Sequence, residues 1–374
     1  MPKNPKIIIT GGGTGGHIFP AIAIAGAIKK RNPNTEILFV GAEGRMETEL
    51  VPKAGYNIRE LPIAGFDRRN ILRNFATVVK LLRSIYLAGK IVKEFRPDVV
   101  VGVGGYASAP TVKAAGAMNV PVVIQEQNSH AGLTNRTLAK YATTICVAYE
   151  GMEKFFPADK TVFTGNPVRE LTPTTEKRRE GYRFFGLDPD MKTVLLIGGS
   201  LGAKTLNTCM AEALPGLHDG SVQFLWQSGK TYHHYSLQSL ERYPVRSVHP
   251  VDFISRMDLA FSVADLVISR AGAGAIAELC IAGKPVILVP SPNVAEDHQT
   301  KNALALANRN AAILIPDSDA ANSLIPLAME IVHNRERLEE LSTNIRRLAV
   351  PDAANRIVDE IEKALQNGPK PNYK

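Results

Sequence analysis

Residues 11–16 read GGGTGG, and His17 follows at once. Glycines let the backbone approach an anion with no Cβ in the way, and a turn that opens a helix offers N–H groups and the positive end of the helix dipole. Two further turns of this kind occur, GGSLGA at 198–203 and SRAGAGAIAE at 269–278. In the last of them, Glu278 lies one helical turn past the glycines. A carboxylate there can accept both hydroxyls of a ribose while the helix N-terminus holds a diphosphate, so a nucleoside diphosphate is expected in the second half of the chain. His17 is then a titratable group at the start of a helix, near the reacting sugar and able to act as a general base near neutral pH. A helix-capping or merely packed histidine is the plainer alternative. Gly11-x-Gly13-x-x-Gly16, with Glu43 as a ribose acid, also matches a dinucleotide fingerprint. That reading expects one complete dinucleotide fold, and the duplicated turns speak against it.

The elements that must position these residues are legible as a repeating pattern. KIIIT at 6–10 is a β-branched run that leads through the glycine loop into the helical PAIAIAGAIKKRN. EILFVG, DVVVGVGG at 98–105, PVVIQEQ at 121–127 and TICVA at 143–147 continue the series. The pattern restarts with KTVLLIGGSLGAKTLNTCMAEAL at 192–214 and runs on through QFLWQSG, DLVISRAGAGAIAELCIAG, PVILVP and AAILIP. Continuous apolar strands alternating with helices indicate parallel sheets covered on both faces, with ligands at the carboxyl ends of the strands. The expected fold is α/β, with two Rossmann-like doubly wound domains over 1–165 and 166–351. TGNPVRELTPTTEKRREGYRFFGLDPD reads as the linker between them, punctuated by Pro167 and Pro173. An amphipathic helix is expected over 352–367, followed by a frayed NGPKPNYK.

The 374 residues are 45% hydrophobic and 21% charged, values of a soluble globular protein with material for two cores. The opening MPKNPKIIIT has no apolar h-region, and no stretch approaches the ~18 apolar residues of a membrane span, so neither a secretory signal nor a span is expected. Cys146, Cys209 and Cys280 are isolated, which fits a reducing compartment and a core role. The net charge of +8 is concentrated. From Arg68 to Arg96 there are eight Lys/Arg against Glu94 alone, a balance of +7. A local patch implies a specific anionic partner. Ile71, Leu72, Phe75, Val78, Val79, Leu81, Leu82, Ile85, Leu87, Ile91 and Val92 exceed one packing stripe in the same segment. Segment 68–96 therefore suits an anionic membrane surface, with ~1 kcal/mol available per nearby basic residue. The alternative is the solvated basic face of an ordinary helix. No helix-turn-helix, zinc or RNA-binding signature occurs, and no nucleic-acid partner is expected. DPD at 188–190 and DSD at 317–319 read as turns, so no obligatory metal is expected, and His233 and His234 read as surface residues.

Seven motifs taken in order are similar to those of the MurG family of bacterial cell-wall transferases, over almost the whole chain. They are GGTGGH, GGYAS (104–108), QEQNSHAGLTNR (125–136), TGNPVR (164–169), GGSLGA, SRAGAGAIAE and EDHQTKNA (296–303). The resemblance implies the GT-B architecture, with an interdomain cleft and a C-terminal helix packed back on the first domain. It also implies transfer of N-acetylglucosamine (GlcNAc) from UDP-GlcNAc to the C4 hydroxyl of N-acetylmuramic acid in lipid I. The product is lipid II, formed with inversion at the cytoplasmic face of the plasma membrane, without a cofactor and with other cell-wall synthesis proteins as candidate partners.

Carried onto this chain, the resemblance has Thr14, Gly15 and Gly16 lining the diphosphate-sugar site and Asn128 reaching the donor sugar. Arg169 contacts the nucleotide side, while Ser200 and the backbone of Ala273 and Gly274 hold phosphates. Ile254 meets the uracil through its backbone, Glu278 the ribose, and Gln299 the sugar hydroxyls. His17 leads as the base, with Glu126 and Tyr106 as other candidates; Glu126 could equally be a structural carboxylate that fixes a neighbouring loop. Gln125 departs from the family's usual HEQN, Leu201 stands where a polar residue is common, and Ala275 where a hydroxyl often sits. Competing readings are a UDP-GlcNAc 2-epimerase of the same architecture, a nicotinamide dehydrogenase, and a membrane-bound scaffold with a dead nucleotide fold.

Overall fold

The computed structural model describes residues 4–64, 74–168, 171–199, 201–217 and 220–373. The chain divides into two units, Met1–Val168 with Asp352–Lys374, and Arg169–Pro351.

The first unit runs β1 (Lys6–Thr10), α1 (Gly15–Arg31), β2 (Glu36–Ala42), α2 (Met46–Lys53), β3 (Asn57–Leu61), α3 (Asn74–Phe95), β4 (Val99–Gly102), α4 (Ser108–Ala117), β5 (Val122–Glu126), α5 (Leu133–Leu138), β6 (Thr144–Val147) and β7 (Thr161–Phe163). Its described strands form one parallel sheet in the order β3-β2-β1-β4-β5-β6-β7. Successive residues of a strand face opposite sides of the sheet, so each apolar strand feeds two cores. Ile8, Leu38 and Val100 pack with Ala88 and Val92 of α3 and Val112 of α4. Ile7, Ile9, Phe39 and Val101 pack with Ile24 and Ile28 of α1. The winding reverses between β1 and β4, whose carboxyl ends carry GGGTGGH and GGYAS side by side. Such a switch point is where an open α/β sheet forms a ligand crevice.

The second unit runs α6 (Thr175–Phe185), β8 (Lys192–Ile197), α7 (Lys204–Ala213), β9 (Val222–Gln227), α8 (His233–Arg242), β10 (Val248–Val251), α9 (Met257–Val263), β11 (Leu266–Ser269), α10 (Ala273–Ala282), β12 (Val286–Leu288), α11 (His298–Ala307), β13 (Ile313–Leu314), α12 (Ala320–His333) and α13 (Arg335–Arg346). Its parallel sheet has the order β10-β9-β8-β11-β12-β13, with the reversal between β8 and β11. Those two strands lead into GGSLGA and SRAGAG. The chain then returns to the first unit as α14 (Ala353–Asn367). Ile357, Val358 and Ile361 of α14 join the α1 core, and Arg31 of α1 pairs with Asp359 and Glu362.

Three expectations are corrected. The stretch read as a linker contains the helix α6: the Thr174 hydroxyl caps it by accepting the Lys177 N–H at 3.1 Å, and left-handed Gly186 (φ 66°) ends it. Both caps are in the sequence, but the polar composition masked them. The tail is not frayed. The Asn372 N–H donates to Met118 O at 2.7 Å, and Tyr373 donates to Pro97 O while packing on the first core. Burial pushes the Tyr373 phenol up to about 12. His233 is half-buried, with Nδ1 3.2 Å from Ser228 Oγ.

The base of the second sheet holds a poorly solvated cation. Lys284 Nζ donates to Ala264 O at 2.7 Å, and burial, reinforced by Arg178 and Arg346, lowers its pKa from 10.5 to about 8. A lysine whose pKa is depressed by folding destabilises the protein wherever it must stay charged. The penalty is present in full below pH 8 and fades as pH rises to 10.5, where the unfolded chain binds the extra proton. Lys284→Met is expected to raise the melting temperature at neutral pH. It should also flatten the rise in stability between pH 8 and 10.5, which thermal unfolding across that range measures.

Candidate active site

At the first switch point the loops interlock. Gly105 has φ 75°, and a Cβ there would collide with the carbonyl of Gly12. The GGYAS glycines also seat the histidine. A Cβ on Gly104 would stand 3.1 Å from His17 Nδ1 and Cε1, and one on Gly105 the same distance from Cδ2. On the other side of the loop the Tyr106 ring lies 3.1 Å from where a Gly13 Cβ would be. His17 and Tyr106 are thus brought together around the first glycine loop. Thr14 is the extended N-cap of α1 (φ −150°, ψ 156°), makes no side-chain cap bond, and is followed by no acid in the first turn. The first amides of α1, those of Gly15 and Gly16 among them, therefore have no intrahelical acceptor. His17 Nδ1 lies 3.0 Å from Val103 O and 3.1 Å from Gln127 Oε1.

Two buried carboxylates hold this site. Glu47, 1% exposed, accepts the Gly13 N–H with both oxygens at 3.1 Å and the Ala42 N–H at 3.0 Å. The inner side of the loop is therefore filled by an anion of the protein's own. Glu43, the ribose acid that the disfavoured dinucleotide alternative would use, is exposed, and Glu47, one turn on, meets the glycines. Glu126 is the second. Its Oε1 accepts Asn128 N–H (3.0 Å) and Nδ2 (3.2 Å), and its Oε2 accepts Gly132 N–H (3.1 Å) and Asn135 Nδ2 (2.9 Å). Four donors match the four lone-pair directions of a carboxylate, so Glu126 shapes the loop of residues 127–135. Gln127 and Asn135 belong to this framework and were not singled out from the sequence. Their signal was the density of amide side chains in QEQNSHAGLTN.

In the second unit, Gly202 (φ 84°) packs against Ser228 O, to which Asn207 Nδ2 donates at 2.9 Å. Leu201 is exposed. Ala273 and Gly274 begin α10 behind the extended N-cap Gly272, with no acid in the first turn. Among the described residues, a Cβ at Gly272 or Gly274 would meet nothing within 4 Å. Glu278 is half-buried one turn further on. The Gln299 Oε1 accepts the Ser291 N–H at 2.9 Å in the first turn of α11. Before that turn, Glu296 (φ 56°) and Asp297 (φ 50°) are both left-handed, a strain of roughly 1–2 kcal/mol each. Thr300 Oγ1 donates to Asp297 Oδ1 at 2.7 Å and Lys301 Nζ to Glu296 O at 2.9 Å, which hold the strained turn. The Ile254 side chain is in the core, and its backbone follows the carboxyl end of β10. Asp317 of DSD is the ion-pair partner of Arg270 and accepts from Thr205 Oγ1 at 2.9 Å. Arg169 and Ser200 lie outside the described residues.

Val78, Val79, Leu82 and Tyr86 of α3 are exposed along one face, the last at 74%, beside exposed Lys80, Arg83 and Lys90. Val92, counted in the expected apolar surplus, is buried instead, and Tyr86 was not anticipated. Residues 68–73 of the segment and the Phe75 side chain lie outside the described residues. No helix among the described residues is long and apolar enough to cross a membrane.

Two doubly wound units with glycine turns at both switch points are the architecture of the GT-B class. The profile of the glycosyltransferase family 28 N-terminal domain matches residues 7–147, and that of the family's C-terminal domain residues 193–357. The chain is 58% identical over 361 residues to the UDP-N-acetylglucosamine--N-acetylmuramyl-(pentapeptide) pyrophosphoryl-undecaprenol N-acetylglucosamine transferase of Parabacteroides distasonis, covering 96% of this chain and 98% of that one. It superposes on the crystal structure of Acinetobacter baumannii MurG with a TM-score of 0.77 at 30% identity, covering 96% and 99% of the two chains. The chain belongs to glycosyltransferase family 28 and, within it, to the MurG family. The UDP-GlcNAc 2-epimerase of Neisseria meningitidis, at 14% identity, TM-score 0.65 and coverage of 96% and 99%, shares the fold alone.

The Glu47 framework predicts its own cost of removal. Glu47→Ala leaves the Gly13 and Ala42 N–H groups without their acceptor and is expected to destabilise the first unit by about 1–3 kcal/mol in urea unfolding.

Proposed function

We propose that this protein transfers GlcNAc from UDP-GlcNAc to the C4 hydroxyl of N-acetylmuramic acid in lipid I, with inversion, to give lipid II for peptidoglycan synthesis. The full-length likeness to enzymes of that name carries the reading. In-line displacement asks the protein to deprotonate one hydroxyl and to stabilise a departing diphosphate. His17 is the base, since its ring is seated beside the glycine loop whereas Glu126 is committed to four donors of its own loop. Tyr106 orients the acceptor. The N-terminus of α10, with no acid in its first turn, takes up the charge of the leaving UDP through the backbone of Ala273 and Gly274, and Ser200 and Arg169 add to it. Glu278 accepts the ribose hydroxyls and the Ile254 backbone meets the uracil. Gln299, with Oε1 held by Ser291, offers Nε2 to the sugar hydroxyls, and Asn128 is a donor-sugar contact. Thr14, Gly15 and Gly16 line the diphosphate-sugar site. The exposed apolar face of α3, flanked by lysine and arginine, seats the enzyme on the anionic cytoplasmic leaflet where lipid I is anchored.

The test is transfer of labelled GlcNAc from UDP-GlcNAc to a lipid I analogue. The wild type is expected to form lipid II, and His17→Ala to lose about 10²–10⁴ in kcat with UDP affinity retained. No product from folded wild type would overturn the reaction, and full activity in the variant would move the base elsewhere. Leu82→Glu is expected to cut partition onto phosphatidylglycerol vesicles at least about tenfold, as burial of the leucine is lost, while transfer to a water-soluble acceptor is unchanged.

A further inference from the structure

A directed chain of side-chain amides ends on the His17 ring. Asn166 Nδ2 donates to the backbone carbonyl of Gln127 at 2.9 Å, which turns Asn166 Oδ1 toward Gln125 Nε2 at 3.0 Å. Gln125 Oε1 then accepts from Gln127 Nε2, which also donates to Val103 O at 2.7 Å and to Gln125 O at 3.2 Å. With its nitrogen so placed, Gln127 must turn Oε1 to His17 Nδ1, 3.1 Å away. The reverse orientation would press an amide oxygen against three other oxygens. All three amides are buried, with exposures of 0% for Gln125, 1% for Gln127 and 7% for Asn166, so water cannot substitute for a misdirected partner.

His17 Nδ1 thus faces two acceptors, Gln127 Oε1 and Val103 O at 3.0 Å. A lone pair on Nδ1 would oppose both, so Nδ1 carries the hydrogen and the lone pair of the neutral ring is on Nε2. We infer that Gln127 is a positioning residue, which through the Asn166–Gln125–Gln127 chain holds His17 in the one neutral tautomer that leaves Nε2 basic. The same two oxygens keep accepting from Nδ1–H when Nε2 takes a proton, so the ring does not have to move on becoming imidazolium. A neutral amide does this without the strong rise in basicity that a carboxylate partner would impose. Gln125, which departs from the usual family spelling at its position, is the middle link. The consequence for catalysis rests on His17 being the base; the tautomer does not.

The test uses the full-length enzyme with histidine rings labelled with 15N, the His17 signals being assigned by their loss in His17→Gln. At a pH where the ring is neutral, wild type is expected to show a pyrrole-type Nδ1 and a pyridine-type Nε2. Gln127→Met, close in shape but without the amide, should shift the ring toward a mixture of tautomers. It should lower kcat about tenfold with KM for UDP-GlcNAc unchanged, as a misoriented base does. Gln127→Glu keeps an acceptor on Nδ1 and adds a charge. If it folds, the acidic limb of its kcat/KM profile should move up by about one pH unit or more. An Nε2–H ring in the wild type, or a tautomer indifferent to Gln127→Met, overturns the inference. A tautomer that responds to Gln127→Met while His17→Ala transfers at the wild-type rate sustains the amide chain and removes only the base assignment.

Discussion

The first site depends on how closely two loops can approach at the carboxyl ends of β1 and β4. These strands are neighbours in a parallel sheet, roughly 4.8 Å apart, so the loops that leave them must share one narrow space. Glycine on both sides makes this possible, since a Cβ on Gly11 would strike Val103 and one on Gly105 would strike Gly12 O. The histidine ring fills the cup that the Gly104–Gly105 pair leaves. Everything that orients His17 follows from that approach, because Val103 O is presented to the ring only where β4 ends beside β1.

Close backbone approach leaves N–H groups that must find acceptors away from water, and the first unit provides them as charges. Glu47 and Glu126 are each about 1% exposed, yet each is surrounded by N–H donors. A carboxylate desolvated in this way is tolerable because charge-assisted hydrogen bonds replace its hydration. The second unit treats a similar turn in the opposite way. The helix after SRAG has no acid in its first turn, so no carboxylate of that turn offsets its dipole. One local motif therefore gives a loop held by a carboxylate of its own unit in the first case and a helix start without an acid in its first turn in the second.

The remaining faces follow from where apolar surface is paired. α14 has one apolar stripe, and Ile357, Val358 and Ile361 bury it against α1 although the intervening unit separates them in sequence by more than three hundred residues. α3 buries Ala88 and Val92 against the sheet and leaves Val78, Val79, Leu82 and Tyr86 outside among bases. A helix with apolar residues on both sides and cations at the rim carries more apolar surface than packing on a sheet requires.

The order of strands and helices, the two sheets and the glycine turns were readable along the chain, because apolar periodicity and glycine placement are local properties. The α6 caps at Thr174 and Gly186 were readable too, though hidden in a polar stretch. His17 stood out by its position after the glycines, and Glu278 by its spacing. What the chain alone did not reveal was partnership. That Glu47 would meet the glycine loop, that Glu126 would saturate itself on its own loop, and that Asn166, Gln125 and Gln127 would line up behind His17 depend on contacts across as many as 110 residues of sequence. Hydrogen-bond direction has no sequence period. It is decided only when strand order brings the donors and acceptors together and burial removes the water that would otherwise satisfy either orientation.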